Sequence, residues 1–511
     1  MASQALLFVL GLAAAGQAAR LPESFKDVFF GCQGDETAPE QLHFNYAGDS
    51  GMTISWNTAT KLQFPTVRYG QGSRLDQIAF SQVSVTYPTS STYSNHVFID
   101  NLAPDTEYSF AVHCADENDR HQFKTSLPAG NPRPYAFAFF GDLGTIGPLG
   151  LTDNKQKDAL SPNEITTMQS LNQFKDQFEF MWHDGDLAYA DDWLKEEIDG
   201  FLPNTTIKGG AAVYEAILNA FYNEMAGNVT MDRPYMVGPG NHEANCDNGG
   251  TGSYTESICM QGQTNFTGFR NHFRMPSEQS GGLENFWYSW DYGMVHFVQF
   301  NTETDFPDAP DLPGGSAAEN AGPFAPNGTQ LEWLKKDLAS VDRKKTPWII
   351  VAGHRPWYVD DRKCDSCQAA FEPILLEYNV DIALFGHKHF YERLAPIDNG
   401  VPDPKGLDNP SAPWYLVNGA AGHFEGLSSP NTPLENYTVK VIDKVYGWSR
   451  FTVHNCTHIT QDFIGESSQA SHVSDSSSIP NLALWITLAS ANGTVLDTAT
   501  LYKDHSGSAM R

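Results

Sequence analysis

From residue 41 to 125 the chain alternates apolar and polar residues in short runs, "MTISWNT", "TVRYG", "SNHVFID" and "EYSFAVHC", with turn-formers between them. A period of two puts successive side chains on opposite faces of a strand. Short strands at this spacing predict an antiparallel sandwich over residues 36–127. No residue in it reads as catalytic.

"PAGNPRP", residues 128–134, reads as a linker, and the texture then changes. From 135 to 511 apolar runs are separated by longer helical or loop stretches, which predicts an α/β domain. Five of those runs end alike. "YAFAFFGDLG" ends in Asp142, "FEFMWHDGDLAY" in Asp186 and Tyr189, and "RPYMVGPGNHE" in Asn241 and His242. "PWIIVAGH" ends in His354, and "VDIALFGHKH" in His387 and His389. Each is a buried-strand run, usually a glycine, then a side chain able to bind a cation. One such ending is ordinary turn chemistry, but five in one chain point to a shared site at the carboxyl ends of strands.

The donors are carboxylates, an amide oxygen, imidazoles and a phenol, a mixed hard and borderline set without cysteine. Seven of them (Asp142, Asp186, Tyr189, Asn241, His354, His387, His389) exceed one tetrahedral zinc site. They suit two metals sharing a bridging carboxylate, the arrangement used for displacement at phosphorus.

Composition adds the compartment. A 511-residue chain with 41% hydrophobic residues has ample material for buried cores and for about three domains. "ALLFVLGLAAA", residues 5–15, followed by Ala18 and Ala19, reads as a signal peptide over 1–19, although "MASQ" lacks the usual positive charge. Sequons at Asn204, Asn228, Asn265, Asn327, Asn436, Asn455 and Asn492 agree with a secreted glycoprotein. Cys246 with Cys259, and Cys364 with Cys367, are plausible local bridges, while Cys32, Cys114 and Cys456 cannot be paired. A net charge of −29 argues against nucleic acid as a partner. An anionic substrate would then need a local positive focus. The tract "ESSQASHVSDSSS", residues 466–478, reads as a loop.

"GDLG", "GDLAY", "GNHE", "VAGH" and "GHKH" stand in the order and form of the five motifs of the purple acid phosphatases. The chain thus resembles this family of calcineurin-like metallophosphoesterases from about residue 41 to 505, including "YGWSRFTVHNCTHIT". "NLAPDTEYSFAVHC" resembles the tyrosine-bearing strand of fibronectin III-like domains, with Tyr108 expected in that core. The resemblance implies an all-β fibronectin III-like sandwich followed by an α/β metallophosphoesterase domain of two packed mixed β-sheets flanked by helices.

It also implies Fe(III) held by Asp142, Asp186, Tyr189 and His389. A divalent ion (Zn, Mn or Fe(II)) would be held by Asp186, Asn241, His354 and His387. Asp186 bridges, and the Tyr189 phenolate supplies the colour. Asn241 and His242 would contact substrate. His242 would hydrogen-bond phosphate and protonate the leaving alkoxide, or else only orient "GNHE"; Glu243 is a candidate partner for it.

The implied enzyme is a secreted acid phosphatase that hydrolyses monoesters with metal-bound hydroxide. Even Zn²⁺ brings bound water to a pKa of about 7, and a trivalent ion acidifies it further. The alternative is a phosphodiesterase or nucleotide pyrophosphatase on the same site; a non-catalytic metal-binding glycoprotein is the rival from another class. Phosphate esters are the expected partners, with no membrane after signal removal; a homodimer is allowed but not required.

Plant members carry histidines in the loop after "VxxH", whereas here "RPWYVDDRKCDSCQ" has none. Arg355, Arg362 and Lys363 in that loop are read as surface charges in preference to substrate contacts. His423 is a rim candidate, and Tyr391, Glu392 and Arg393 are read as braces. His183 and Asp184 are read as strand-end residues or as supports behind the donors, and Asp184, Asp191 and Asp192 as turn and cap acids.

Overall fold

A computed structural model describes residues 34–115, 119–149, 165–194, 209–247, 259–317, 319–422, 425–466 and 493–505. The expected signal peptide, Cys32, Asn204, His423, Asn492 and most of the 466–478 tract lie outside the described residues.

The alternating N-terminal runs form eight strands: β1 (Glu40–Tyr46), β2 (Met52–Thr58), β3 (Thr66–Gln71), β4 (Gln77–Phe80), β5 (Ser84–Val85), β6 (Tyr93–Ile99), β7 (Glu107–Val112) and β8 (His121–Lys124). They pair as two sheets, β1-β2-β6-β5 and β4-β3-β7-β8. Phe44 of one sheet meets Phe110 and Phe123 of the other, which is the sandwich core. Tyr108 stacks on Phe123, and its hydroxyl accepts from the Ala103 N–H at 3.0 Å, pinning the turn that precedes β7.

The apolar runs beyond residue 134 build two further sheets. The first is centred on β9 (Tyr135–Phe140), β10 (Met181–Asp184) and β11 (Tyr235–Gly238), which run parallel. The second begins with β12 (Tyr288–Tyr292) antiparallel to β13 (Val295–Gln299), then continues in parallel through β14 (Trp348–Ala352) and β15 (Ile382–Phe385). Its far side is β16 (Tyr391–Asp398), β17 (Val401–Pro402), β18 (Trp414–Asn418) and β19 (Thr438–Ile442). "YGWSRFTVHNCTHIT" becomes β20 (Gly447–Asn455) and the start of β21 (His458–Gly465); with β22 (Thr494–Tyr502) they extend the first sheet antiparallel beside β9.

The two sheets pack face to face through rings. Phe137 of β9 stacks on Phe180 and Phe451, and its other contact is edge-on to Phe297 of the opposing sheet. Trp182 packs edge-on to Trp290 and Phe297, and its indole N–H donates to Gln299 Oε1 at 2.7 Å. Buried rings of this size dominate core energetics, and they leave the carboxyl ends of both parallel sets on one edge. Register levels those ends: Phe140 pairs with His183, Asp184 with Gly238, and Ala352 with Leu384.

Bridges Cys246–Cys259 and Cys364–Cys367 are present; Cys114 is also disulfide-bonded, and Cys456 is a free, exposed thiol. Among the described residues no helix is long and apolar enough to cross a membrane.

Candidate metal centre

All seven expected donors lie just past the ends of β9, β10, β11, β14 and β15, and the structure brings them to one place. Tyr189 Oη donates to Asp142 Oδ1 at 2.9 Å and stands 3.3 Å from Asp186 Oδ2 and 3.1 Å from His389 Nε2. On the other side of the same carboxylate, His354 Nε2 is 2.8 Å from Asp186 Oδ2. His354 Nδ1 is committed to the Asp184 carbonyl at 2.8 Å, so Nε2 faces the centre. Asp186, His354 and His387 offer ligand atoms within 4.8 Å of one another. Asn241 is buried and lines the same cleft as His387.

The backbone is strained to achieve this. Asp142, Asp186, Tyr189 and His387 all adopt left-handed conformations, with φ of 62°, 50°, 53° and 68°. For side chains other than glycine each costs of order 1 kcal/mol, and such strain clusters at functional sites. Two glycines allow the remaining approach. A Cβ on Gly240 would stand 2.3 Å from Asp186 Oδ1, and one on Gly386 would stand 2.7 Å from Asp142 Oδ2. Backbone donors then fix the carboxylates: the His387 N–H donates to Asp142 Oδ2 at 2.7 Å and the His242 N–H to Asp186 Oδ1 at 2.8 Å.

The donor set fits cations better than it fits hydrogen bonding. Asn241 Oδ1 is buried yet makes no hydrogen bond, a state that native polar atoms avoid unless something else satisfies them. Burial, and then the carboxylates of Asp142 and Asp186, hold the Tyr189 phenol well above its ordinary range; ionising it there requires a positive charge nearby. Burial, and then the Arg355 charge, hold the His387 imidazole well below its ordinary range, in the neutral form that can act as a ligand.

His242 lies against this group, its ring 4.1 Å from that of Tyr189. Its Nδ1 donates to Asp191 Oδ2 at 2.8 Å, leaving Nε2 3.9 Å from Asp186 Oδ2. Burial alone would lower its pKa, but the Asp191 and Asp186 carboxylates raise it to about 10. Two expectations are thereby corrected. Asp191 is no solvated cap acid: the short 3₁₀ turn Ala190–Asp192 carries it inward, fully buried. Nor is Glu243 the partner of His242. It turns back and accepts the N–H groups of Asp186, Leu187 and Gly240 at 2.9, 2.7 and 2.8 Å, tying the β10 and β11 loops together. Asp184 and Asp192 are likewise wholly buried; Asp184 accepts from Gln299 at 2.9 Å. His183 pairs with the Tyr235 hydroxyl at 2.7 Å, inside the strand end as expected.

Arg355 is also corrected. It is half-buried, not superficial, with its side chain 12% exposed, because Glu303 Oε2 at 2.5 Å and Asp311 Oδ1 at 3.0 Å fold over it. Its Nη1 lies 3.2 Å from His387 Nε2. Neither Glu303 nor Asp311 was singled out from the sequence; Glu303 sits in "VHFVQFNTETD", a sixth apolar run ending in acids, whereas Asp311 lies beyond it. Lys363 does sit outside, paired with Glu435 at 2.7 Å. The braces hold: Arg393 bridges to Asp497 at 2.7 Å, Tyr391 bonds Gln461, and Glu392 accepts from the Asp360 N–H.

Known proteins resemble this chain over most of its length. The calcineurin-like phosphoesterase profile matches residues 135–391, the purple acid phosphatase N-terminal domain profile residues 39–125, and the iron/zinc purple acid phosphatase-like protein C profile residues 412–476. Acid phosphatase A of Cryphonectria parasitica is 37% identical over 92% of this chain and 93% of its own length. An acid phosphatase of Aspergillus ficuum is 33% identical over 81% and 82%. The purple acid phosphatase from yellow lupin (Lupinus luteus) seeds shares the fold, with a TM-score of 0.62 at 20% identity, over 92% of this chain and 75% of that one.

Proposed function

The chain belongs to the purple acid phosphatases, within the calcineurin-like phosphoesterases, and is a metal-dependent phosphatase acting on small phosphate esters; we propose that it is a secreted acid phosphatase that hydrolyses monoesters at a dinuclear centre. Asp142, Asp186, Tyr189 and His389 would hold Fe(III), and Asp186, Asn241, His354 and His387 a divalent Zn, Mn or Fe. The observation that carries this reading is the position of Asp186 Oδ2, 2.8 Å from His354 Nε2 on one side and 3.3 Å from Tyr189 Oη on the other. One carboxylate standing between two donor sets is what a shared bridge requires.

When bound, such a pair supplies the Lewis acidity that draws charge from the phosphate oxygens and lowers the pKa of the attacking water. The protein's own groups do the rest. Asn241 and His242 orient the phosphate at the mouth. His242, held by Asp191 through Nδ1, keeps a proton on Nε2 for the departing alkoxide. Arg355, clamped by Glu303 and Asp311, braces the His387 ring.

Residues 1–19 are assigned to the signal, 36–127 to the N-terminal sandwich, 128–134 to a linker and 135–511 to the catalytic unit. Of the described sequons, Asn265, Asn327, Asn436 and Asn455 are exposed, which supports glycosylation there, whereas Asn228 Nδ2 already donates to the Glu224 carbonyl. The test is the relative rate on p-nitrophenyl phosphate and bis-p-nitrophenyl phosphate in acid. The monoester should be preferred by at least about tenfold, a discrimination of roughly 1.4 kcal/mol; a diester preference would contradict the proposal.

A further inference from the structure

His354 serves as a ligand only if its ring is aimed, and the aim comes from one hydrogen bond. Its Nδ1–H donates to the Asp184 carbonyl at 2.8 Å, which settles the tautomer and turns Nε2 toward the centre. That carbonyl belongs to the last residue of β10, where the ladder with β11 stops at the Asp184–Gly238 pair. Pro239, the first residue past β11, has no N–H to continue the ladder, and Gly185 turns the chain away with φ of 82°. The direction of the carbonyl therefore depends on what holds the Asp184 side chain.

That side chain is fully buried, and among the described residues its one hydrogen-bond donor is Gln299. Gln299 closes β13 in the opposite sheet and reaches across to β10. Its Oε1 accepts from the Trp182 indole at 2.7 Å, and its Nε2 donates to Asp184 Oδ1 at 2.9 Å and to the Phe300 carbonyl at 3.1 Å. An indole nitrogen only donates, so the orientation of the amide is fixed. β11 leaves it little room to move: a Cβ on Gly238 would stand 2.3 Å from Gln299 Nε2. Asp184 Oδ2 makes no hydrogen bond, so no second anchor replaces this one.

We propose that Gln299 is a positioning residue for the divalent-metal site, anchoring Asp184 so that its carbonyl orients the His354 ring. The inference rests on the dinuclear reading above and concerns one half of it. The phenolate half is held separately, through the Tyr189 hydroxyl and the His387 N–H on Asp142. Loss of the Gln299 contact should therefore weaken one metal and spare the other. A general loosening of the fold would not discriminate between them.

The experiment titrates the iron-loaded protein with Zn²⁺ by calorimetry while the visible spectrum is recorded. Gln299→Met, similar in volume but without a donor, should weaken Zn²⁺ binding by about 10–100-fold, as when a group that orients a ligand is lost. Iron content and the tyrosinate-to-iron band should stay unchanged. Asp184→Ala should do the same, and Asp184→Asn, which keeps the accepting oxygen, should recover most of the loss. Both lack the charge, so their difference reads the hydrogen bond alone, and that pair decides the matter if Gln299→Met does not fold. Tyr288→Phe removes another hydrogen bond between the same two sheets, to the Val237 carbonyl, and should leave Zn²⁺ affinity as it is in the wild type. Wild-type affinity in Gln299→Met, equal losses in Asp184→Ala and Asp184→Asn, or an equal loss in Tyr288→Phe would overturn the inference. Loss of the iron band along with Zn²⁺ would overturn it too. A wild type that holds iron but takes up no Zn²⁺ would instead remove the dinuclear reading beneath it.

Discussion

His242 donates from Nδ1 to Asp191 Oδ2 at 2.8 Å, and neither side chain is more than 9% exposed. The pair fixes which imidazole nitrogen faces the centre, and with it the direction in which a proton can be given. General acid–base groups contribute about 10²–10⁴ in rate. His242→Ala should therefore lower kcat/KM on p-nitrophenyl phosphate by roughly a hundredfold or more, and Asp191→Asn by about tenfold, with metal content unchanged. Full activity in His242→Ala would contradict its assigned role.

The close approach of the β10 and β11 loops predicts a metal-binding defect without any change of ligand. A methyl group on Gly240 would stand 2.3 Å from Asp186 Oδ1, so Gly240→Ala must displace the carboxylate between the two donor sets. Metal affinity should fall by about 10–100-fold, as when groups that orient ligands are lost. Titration of the apoprotein with Zn²⁺ reads this directly; wild-type affinity would show that Asp186 is not where the metals are held.

Arg355→Met should destabilise the fold by about 3–5 kcal/mol, because it strands two buried carboxylates, Glu303 and Asp311. Urea unfolding measures it. A loss below about 1 kcal/mol would return Arg355 to the surface role that its sequence context suggested.

A second buried cluster predicts a pH dependence remote from the centre. His296 stands between Asp291 at 2.7 Å and Asp337 at 2.9 Å. Burial alone would lower its pKa, but those carboxylates raise it from 6.5 to about 9. A folded-state pKa above the unfolded one gives stability that is complete below about pH 6.5 and lost as pH rises through about 9. The stability difference between wild type and His296→Gln, up to about 3 kcal/mol in acid, should shrink over that window. A difference independent of pH would show that the imidazole is neutral throughout.

How much of this was legible beforehand depends on distance along the chain. The sandwich, the α/β texture and the seven donors could be read because each is a local pattern, a strand period or an apolar run followed by a donor, whereas the two packed sheets came only from the family resemblance. Asp191 could not be separated from a cap acid, since a 3₁₀ turn that buries its first residues has the same sequence as one that exposes them. Glu243 was the natural neighbour for His242, but the same tight turn points it back at the β10 loop. Arg355 depended on partners 52 and 44 residues earlier, Glu303 and Asp311. No local pattern carries that information.

The central claim is that two metals, one of them ferric iron on a phenolate, sit in the cradle around Asp186. A visible spectrum and metal analysis of the purified protein, wild type beside Tyr189→Phe, test it most directly. The account predicts two metal ions per chain including iron, a tyrosinate-to-iron charge-transfer band in the wild type, and loss of that band in Tyr189→Phe. An iron-free, colourless wild type, or a band that survives the substitution, would contradict it.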